Sequence, residues 1–379
     1  MKEIRQLDTP CYIFEQEDFA NNIRWFNKEI KLFFDKYKIG YSFKTNYYPY
    51  ILKCALEEGC CAEVVSEKEY KLALDTGFEP VNIIYNGPVK THNSFIYALE
   101  NGSIVNIDSQ REIDWLKELP HDKKYNIGIR VNFDLEKELP GQTLMGVEGG
   151  RFGFCDDNGS LANALSKIYE LDNVRINCLH MHVSSKSKSV DIYRYLVKRA
   201  IKIIRENSLD IDYLDIGGSF FGGADDGKAY KAYVSAVYDE LANNNMEDVG
   251  VIVEPGASVV ATSITYMAEV VDVKNTTKNT FVVTDGSRLH IDPFFVREKY
   301  SYQIISERND IVDSQVICGF TCMEKDRFFT ARNEKKMCVG DRIIFDTVGS
   351  YTMCFNSDFI SSRPVVYVKK ENEYYKLME

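Results

Sequence analysis

Tyr213-Leu214-Asp215-Ile216-Gly217-Gly218-Ser219-Phe220-Phe221-Gly222-Gly223 reads as a short apolar strand that runs directly into a glycine-rich turn. The apolar run is too short for a helix, and the glycines terminate it. Residues 189–207 before it and 228–243 after it carry helical spacing. The alternation extends outward in both directions. Apolar runs at residues 81–85, 102–107, 125–131, 174–182 and 249–253 read as strands, and residues 67–76, 93–100 and 110–118 read as helices. Nearer the start, Cys11-Tyr12-Ile13-Phe14 reads as a strand, and residues 16–37 carry acidic and apolar residues at helical spacing. Repeated strand–helix alternation with uninterrupted apolar strands predicts parallel strands covered by helices, hence a β/α barrel. From about Ile264 the pattern changes to short β-like runs at 265–273, 280–284, 314–318, 342–345 and 364–369. A smaller, mainly β domain is expected there, joined by the strand near Cys11. The expected division is residues 1–25 with the β domain, 26–262 as barrel and 263–379 as β domain. Residues 134–150 are polar and contain glycine, which suits a mobile loop or lid.

Composition narrows the function classes. The chain has 379 residues, 45% hydrophobic and 27% charged, with a formal net charge of -11. Those values suit a soluble globular protein with a substantial core. The acidic balance disfavours nucleic acid and anionic membrane as partners. There are 10 cysteines without a regular framework, and Cys60-Cys61 lack metal-ligand spacing. The N-terminal residues show no apolar signal core, and no long apolar run occurs. Reduced thiols in a cytoplasm are expected, with no metal.

Reactive groups of a barrel sit at the C-terminal ends of its strands. Polar segments fall there: Lys44 in Tyr41-Ser42-Phe43-Lys44-Thr45-Asn46, His180-Met181-His182-Val183-Ser184-Ser185, Asp215-Ile216-Gly217-Gly218, and Glu254-Pro255-Gly256. A lysine ammonium at a strand end is costly to desolvate, and a desolvated lysine of lowered pKa can hold an aldehyde cofactor as a Schiff base. Glycine-rich turns expose backbone N–H groups suited to a phosphate. Taken singly, Gly-Gly after a strand is a tight turn, a lone strand-end His or Glu is structural, and most lysines are simply solvated.

In combination and order, these segments resemble the fold-type III pyridoxal-phosphate decarboxylases: the diaminopimelate, ornithine, arginine and carboxynorspermidine decarboxylases, which share a barrel of alanine-racemase type. The resemblance spans nearly the whole chain. It includes Lys44, the Ala62-Glu63-Val64-Val65-Ser66-Glu67-Lys68-Glu69 segment, Arg130, Arg151-Phe152-Gly153, His182 to Ser185, Gly217-Gly218 and Glu254. It continues through Cys318-Gly319-Phe320-Thr321-Cys322-Met323-Glu324-Lys325-Asp326, Gly349-Ser350-Tyr351 and Ser362-Arg363-Pro364. It implies an α/β (β/α)8 barrel plus a C-terminal mainly β domain, pyridoxal 5'-phosphate as cofactor, an amino-acid substrate and a homodimer with shared active sites. By the resemblance, Lys44 would carry the cofactor and Glu254 would face its ring nitrogen. His182 would stack on the ring, and Ser185, Gly217, Gly218, Gly256 and Tyr351 would serve the phosphate. Cys322 would supply a proton from the partner subunit. Glu63, Glu69 and Arg130 match positions that support the lysine and ring.

The chain departs from that pattern where a substrate is chosen. Met323 stands where the family has Asp or Glu to hold a distal ammonium, and Glu324 lies one residue on. Asp285-Gly286-Ser287-Arg288-Leu289-His290-Ile291-Asp292-Pro293 has Asp292 where diaminopimelate decarboxylases have Arg. Ala257 replaces the arginine after Glu-Pro-Gly, and Ser219 replaces a third glycine. A charged hydrogen bond contributes about 1.5–3 kcal/mol, so losing one disfavours free diaminopimelate, lysine and ornithine as substrates. Arg151, Arg288 and His290, with Asp292, Met323 and Tyr351, are the expected substrate-reading positions. A racemase on the same cofactor and an inactive regulatory paralogue are the competing readings. The Glu at 254 argues against the first, and retention of Lys44, His182, Glu254 and Cys322 against the second.

Overall fold

The computed structural model describes residues 4–223, 227–355, 358–371 and 373–377. The chain divides into two compact units, Asn22–Ser258 and the pair of segments Met1–Asn21 with Val259–Glu379.

The first strand, β1 (Cys11–Glu15), belongs to the smaller unit. The larger unit is built on β2 (Tyr37–Ser42), β3 (Cys61–Val64), β4 (Ile83–Tyr85), β5 (Ile104–Ile107), β6 (Tyr125–Asn132), β7 (Phe154–Cys155), β8 (Val174–His180), β9 (Tyr213–Asp215) and β10 (Gly250–Val253). Their order is β5-β4-β3-β2-β10-β9-β8-β6, and β5 pairs with β6 to close the ring, with β7 appended on β6. Every pairing in the ring is parallel. The closed parallel barrel is the architecture expected from the alternating pattern, and strands such as β3, β4 and β10 are buried at every position, as strands covered on both faces must be. The outer helices bury one stripe each. In Val190–Glu206, Ile192, Leu196, Ala200 and Ile203 recur at helical spacing and are all buried. Ser189 caps that helix by accepting the Asp191 N–H.

Two local boundaries are corrected. The helix expected over residues 16–37 ends at Ile30, and Tyr37 begins β2 (Tyr37–Ser42), whose β-branched and aromatic residues favour a strand. The strand expected from Val81 begins at Ile83, since Pro80–Asn82 form a 3-10 turn. Residues 134–150, expected as a mobile loop or lid, form an exposed segment with local hydrogen bonds. Glu136 accepts the N–H of Gly141 and both the N–H (3.2 Å) and hydroxyl (2.5 Å) of Thr143. Thr143 forms a β-bridge with Ser185, and Leu144 N–H donates to Ser184 O at 3.0 Å.

The smaller unit is a mixed sheet. It contains β11 (Ile264–Asn275), β12 (Thr280–Thr284), β13 (Tyr302–Ile305), β14 (Ile311–Cys318), β15 (Arg327–Lys335), β16 (Arg342–Phe345), β17 (Val365–Lys370) and β18 (Glu373–Lys376). The order is β15-β14-β12-β11-β1-β17-β18, with β16 pairing β11 and β13. β1 lies between β11, antiparallel, and β17, parallel. Its buried face packs Leu7, Cys11 and Ile13 against Met267 and Tyr367.

Candidate active site

Strand register assembles a ring of polar side chains in the larger unit. Laterally paired residues of parallel strands point to the same face. Ser42 pairs with Glu63, Arg130 with His180, and His180 with Asp215. Beyond the end of β2, the 3-10 turn Phe43–Thr45 carries Lys44. Lys44 Nζ lies 2.5 Å from Glu63 Oε2 and 2.8 Å from Ser42 Oγ, and the Ser42 hydroxyl also donates to Glu63 Oε2. Glu63 is fully buried while the lysine side chain is 35% exposed, so the amine faces an opening and its counter-ion faces the wall.

A second carboxylate lies in the same wall. Glu254 is buried, with Oε2 3.7 Å from His180 Nε2. Burial alone would raise its carboxyl, but His180 and Lys44 beside it outweigh that and hold it below the usual carboxylate range. Asp215 is pushed the other way, upward, by burial and by the charge of Glu254. Burial lowers the basicity of both His180 and His182. Gly218 N–H donates to His182 Nδ1 at 3.0 Å, which fixes that nitrogen as an acceptor and the ring as neutral. Glycine is required at 217: its φ is +68°, and a Cβ there would stand 2.3 Å from His182 Nδ1.

The expected phosphate cradle is partly redistributed. Gly217 N–H is taken by Asp215 Oδ1 at 2.9 Å and Gly218 N–H by His182. Among the described residues, the next N–H groups, of Ser219 and Phe220, have no partner, so the open donors of this turn lie after the glycines. Ser185 is half-buried and its Oγ accepts Lys188 N–H at 2.7 Å, which leaves its own proton available to an anion. A Cβ on Gly256 would stand 2.1 Å from Thr45 Oγ1, so this glycine permits close packing behind Lys44. Glu69 is buried, accepts Val65 N–H at 2.8 Å, and is pushed up to about 7 by burial. Arg130 reaches Asp108 Oδ2 at 3.4 Å and lies over the Phe152 ring, as does Arg151. A cavity of about 360 Å³ opens beside His182, between Arg130, Arg151 and an apolar wall of Val131, Phe133, Leu144 and Met145.

The smaller unit places the remaining candidates. Cys322 is exposed in the turn between β14 and β15. Asp326 organises that turn: it accepts the Thr321 hydroxyl at 2.6 Å, Arg288 N–H at 2.8 Å and Ser287 Oγ at 3.1 Å. Met323 is half-buried, and the exposed Glu324 lies 2.6 Å from Arg327. Tyr351 is 41% exposed with φ 56°. Arg288, His290 and Asp292, expected to read a substrate, are held by local contacts. Arg288 gives Nε and Nη2 to Asp292 Oδ2 at 2.9 and 2.7 Å. Asp292 also accepts Val296 N–H, Arg297 N–H and the Tyr300 hydroxyl, which saturates it. His290 is buried with Nδ1 2.6 Å from the Tyr266 hydroxyl and is pushed down to about 4 by burial.

Residues absent from the expected site complete it: Asn86, Asn106, His180 and Asp215. Asn86 Nδ2 donates to Glu63 Oε1 at 2.9 Å and to Glu254 Oε1 at 2.5 Å. The signal was the same as for Lys44, a polar residue closing an apolar strand in Ile83-Ile84-Tyr85-Asn86.

The site fits an aldehyde cofactor with a basic ring and an anionic tail. An amine stands beside its counter-ion, a buried ionised carboxylate lies deeper, and neither ring nitrogen of the buried His180 has a hydrogen-bond partner. A closed parallel barrel with this arrangement at its strand ends defines a pyridoxal-phosphate barrel enzyme. Comparison with known proteins gives the same class and narrows it. Residues 19–261 match the family model described as pyridoxal-dependent decarboxylase, pyridoxal binding domain. The diaminopimelate decarboxylase of Staphylococcus aureus (strain COL) is 25% identical, over 98% of this chain and 91% of that protein. The probable chloroplastic diaminopimelate decarboxylase of Oryza sativa subsp. japonica is 28% identical, over 95% of this chain and 74% of that protein. In fold, the chain is similar to the crystal structure of diaminopimelate decarboxylase from M. jannaschi, with a TM-score of 0.85 at 22% identity over 99% of this chain and 90% of that one. It is also similar to the arginine decarboxylase of Paramecium bursaria Chlorella virus, with a TM-score of 0.80 at 19% identity over 96% of each chain. The chain belongs to the pyridoxal-dependent decarboxylase family, and its chemistry is pyridoxal-phosphate-dependent decarboxylation of an amino acid.

Proposed function

We propose that the chain decarboxylates an amino acid or amino-acid conjugate other than free diaminopimelate, lysine or ornithine. The observation that carries this reading is the loop of Cys322. Met323 offers no charge, Glu324 is exposed to solvent beside Arg327, and Asp326 is taken up inside the turn, so the position directly after Cys322 holds no carboxylate for a distal ammonium. The apolar wall of the cavity beside His182, flanked by Arg130 and Arg151, suits a substrate with an apolar body and an acidic or acylated end.

When bound, the cofactor supplies an electron sink for the bond to the departing carboxylate. In this reading Lys44 anchors it, with Glu63 and Ser42 orienting the amine. Glu254 faces the ring nitrogen, and its ionised state keeps a proton there. His182 covers one ring face as a neutral ring. Ser185 and the turn after β9, with Gly256 and Tyr351, receive the phosphate, while Arg130 and Glu69 brace the lysine side. Cys322 delivers the proton to the substrate carbon that loses its carboxylate, from the partner subunit of a homodimer. Exposed apolar side chains of the smaller unit (Phe294, Phe355, Phe359 and Ile360) support such pairing, since monomers rarely expose clusters of this kind. Ten cysteines without a regular spacing framework support a reducing, cytoplasmic setting. No helix among the described residues is long and apolar enough to cross a membrane.

A second reading, decarboxylation of diaminopimelate, is favoured by the names of the relatives. One experiment separates the two: carbon dioxide release by the holoenzyme from diaminopimelate, lysine, ornithine and a panel of acylated or carboxylated amino acids. Highest kcat/KM on a member of the modified panel supports the first reading. Rapid turnover of diaminopimelate overturns it. Mixing inactive Lys44→Ala and Cys322→Ala proteins tests the shared site, because hybrid dimers regain activity only if the two residues come from different subunits.

A further inference from the structure

Between the lysine end and the ring end of the cofactor site stands one neutral side chain. Asn86 follows β4 and is buried, its own N–H donating to Val64 O at 2.8 Å. Its carboxamide cannot turn freely, because Oδ1 accepts from Asn106 Nδ2 at 2.7 Å. That leaves both protons of Nδ2 facing carboxylates, Glu63 at 2.9 Å and Glu254 at 2.5 Å. Asn106 is fixed in turn. Its Nδ2 also lies 3.3 Å from Asp215 Oδ2, and Gly128 has no side chain to displace its Oδ1. Below both asparagines the backbone is stapled: Lys90 Nζ donates to Gly87 O at 2.9 Å and to Asn106 O at 3.0 Å. A continuous path therefore runs from Lys44 through Glu63, Asn86 and Glu254, with Asn106 and Asp215 as a branch.

We propose that Asn86 is a positioning residue for the decarboxylation: its single amide group binds the carboxylate that serves Lys44 and the carboxylate that serves the ring nitrogen, and so sets the proton affinity of both ends of the cofactor site together. The proposal rests on the assignment of Lys44 and Glu254 to the cofactor. A primary amide suits the place because it has two donor protons and no charge. A hydrogen bond to a carboxylate stabilises its charged form, so the same group makes Glu63 and Glu254 weaker bases at once. Substitution by Asp would set a third acid against two existing ones, and substitution by Ala would leave each carboxylate short of a donor. The other charged or titratable groups facing this network include Glu69, Lys90, Arg130, Cys178, His180, His182 and Asp215, and the variants leave all of them in place.

The test uses holoenzyme and reads the ratio of the visible absorbance bands of the bound cofactor against pH. That ratio reports where the protons at the lysine and ring nitrogens sit. Wild type, Asn86→Ala and the isosteric Asn86→Asp are compared, with circular dichroism as the check on folding. The expected result is an upward shift of the governing midpoints by about one pH unit, a tenfold change in proton affinity, in both variants. The larger shift is expected in Asn86→Asp, and the pH profile of kcat/KM should move with it. Unmoved midpoints in folded, cofactor-loaded Asn86→Asp would overturn the proposal, since a purely space-filling role survives that exchange. If Asn86→Ala does not fold, the isosteric variant decides alone. Absence of any visible band in wild type would instead overturn the cofactor assignment, so the two failures are distinguishable.

Discussion

Lys90 and Glu112 form an ion pair from which water is fully excluded: Nζ lies 3.3 Å from each carboxylate oxygen, and both side chains have zero exposure. The pair does not float in the core. Glu112 also accepts Asp108 N–H at 2.8 Å, and Lys90 holds two backbone carbonyls, so together they join the ends of β4 and β5. Removing one partner strands the other charge. Lys90→Met is expected to destabilise the protein by about 3–5 kcal/mol, and adding Glu112→Leu to recover much of that. Denaturant unfolding of both variants measures it, and a Lys90→Met protein as stable as wild type would refute the argument.

The lysine anchor depends on its neighbour. Glu63→Gln keeps the shape of the side chain but removes the anion 2.5 Å from Lys44. An expected loss of roughly 100-fold in kcat follows from losing one positioned proton-holding group, with little change in KM. Steady-state kinetics on the best substrate reads the split. An equal rise in KM would point to a binding defect instead.

Glu69 gives the larger unit a pH-dependent stability. Its carboxyl, raised from 4.5 to about 7 by burial, binds a proton more tightly in the folded state than in the unfolded chain. The stabilisation from the bound proton is fully present below the unfolded value and is lost as pH rises through about 7. Relative to Glu69→Gln, the wild-type chain should therefore lose roughly 3 kcal/mol between those limits. Urea unfolding of the two proteins across that range tests it, and parallel pH curves would refute it.

Ser219 occupies a left-handed backbone conformation, φ 72°, immediately after the paired glycines. For a residue with a Cβ this conformation costs about 1–2 kcal/mol, partly offset by the freedom a glycine would gain in the unfolded chain. Ser219→Gly is expected to stabilise the protein by about 0.5–1 kcal/mol. A lower unfolding midpoint would show that the hydroxyl contributes more than the strain removes.

The barrel was legible because parallel strands bury both faces and write continuous apolar runs, and because strand-end polar residues such as Lys44 and Glu254 interrupt them. β3 was missed because Cys61-Ala62-Glu63-Val64 places a charged residue mid-strand, where it points at Lys44. Asn86 and Asn106 went unread because amides carry no charge signature, and their role exists only through contacts between strands far apart in sequence. The Arg288–Asp292 pair was also unread. A basic residue near a substrate position suggests recognition, but nothing local in the sequence says that Asp292 folds back to take its guanidinium. Asp292→Ala should accordingly cost about 3–5 kcal/mol in denaturant unfolding, because it strands a half-buried arginine.

β1 ties the order of synthesis to the order of folding. Its five residues, Cys11–Glu15, are made before every barrel strand, yet one flank of its ladder is Val365–Lys370, made after all of them. The barrel segment is contiguous and can close as it emerges. The sheet around β1 must wait, with one edge bare, until Val365–Lys370 has been translated. That waiting edge is the place where a chaperone, or a premature neighbour, finds this chain while it is still being made.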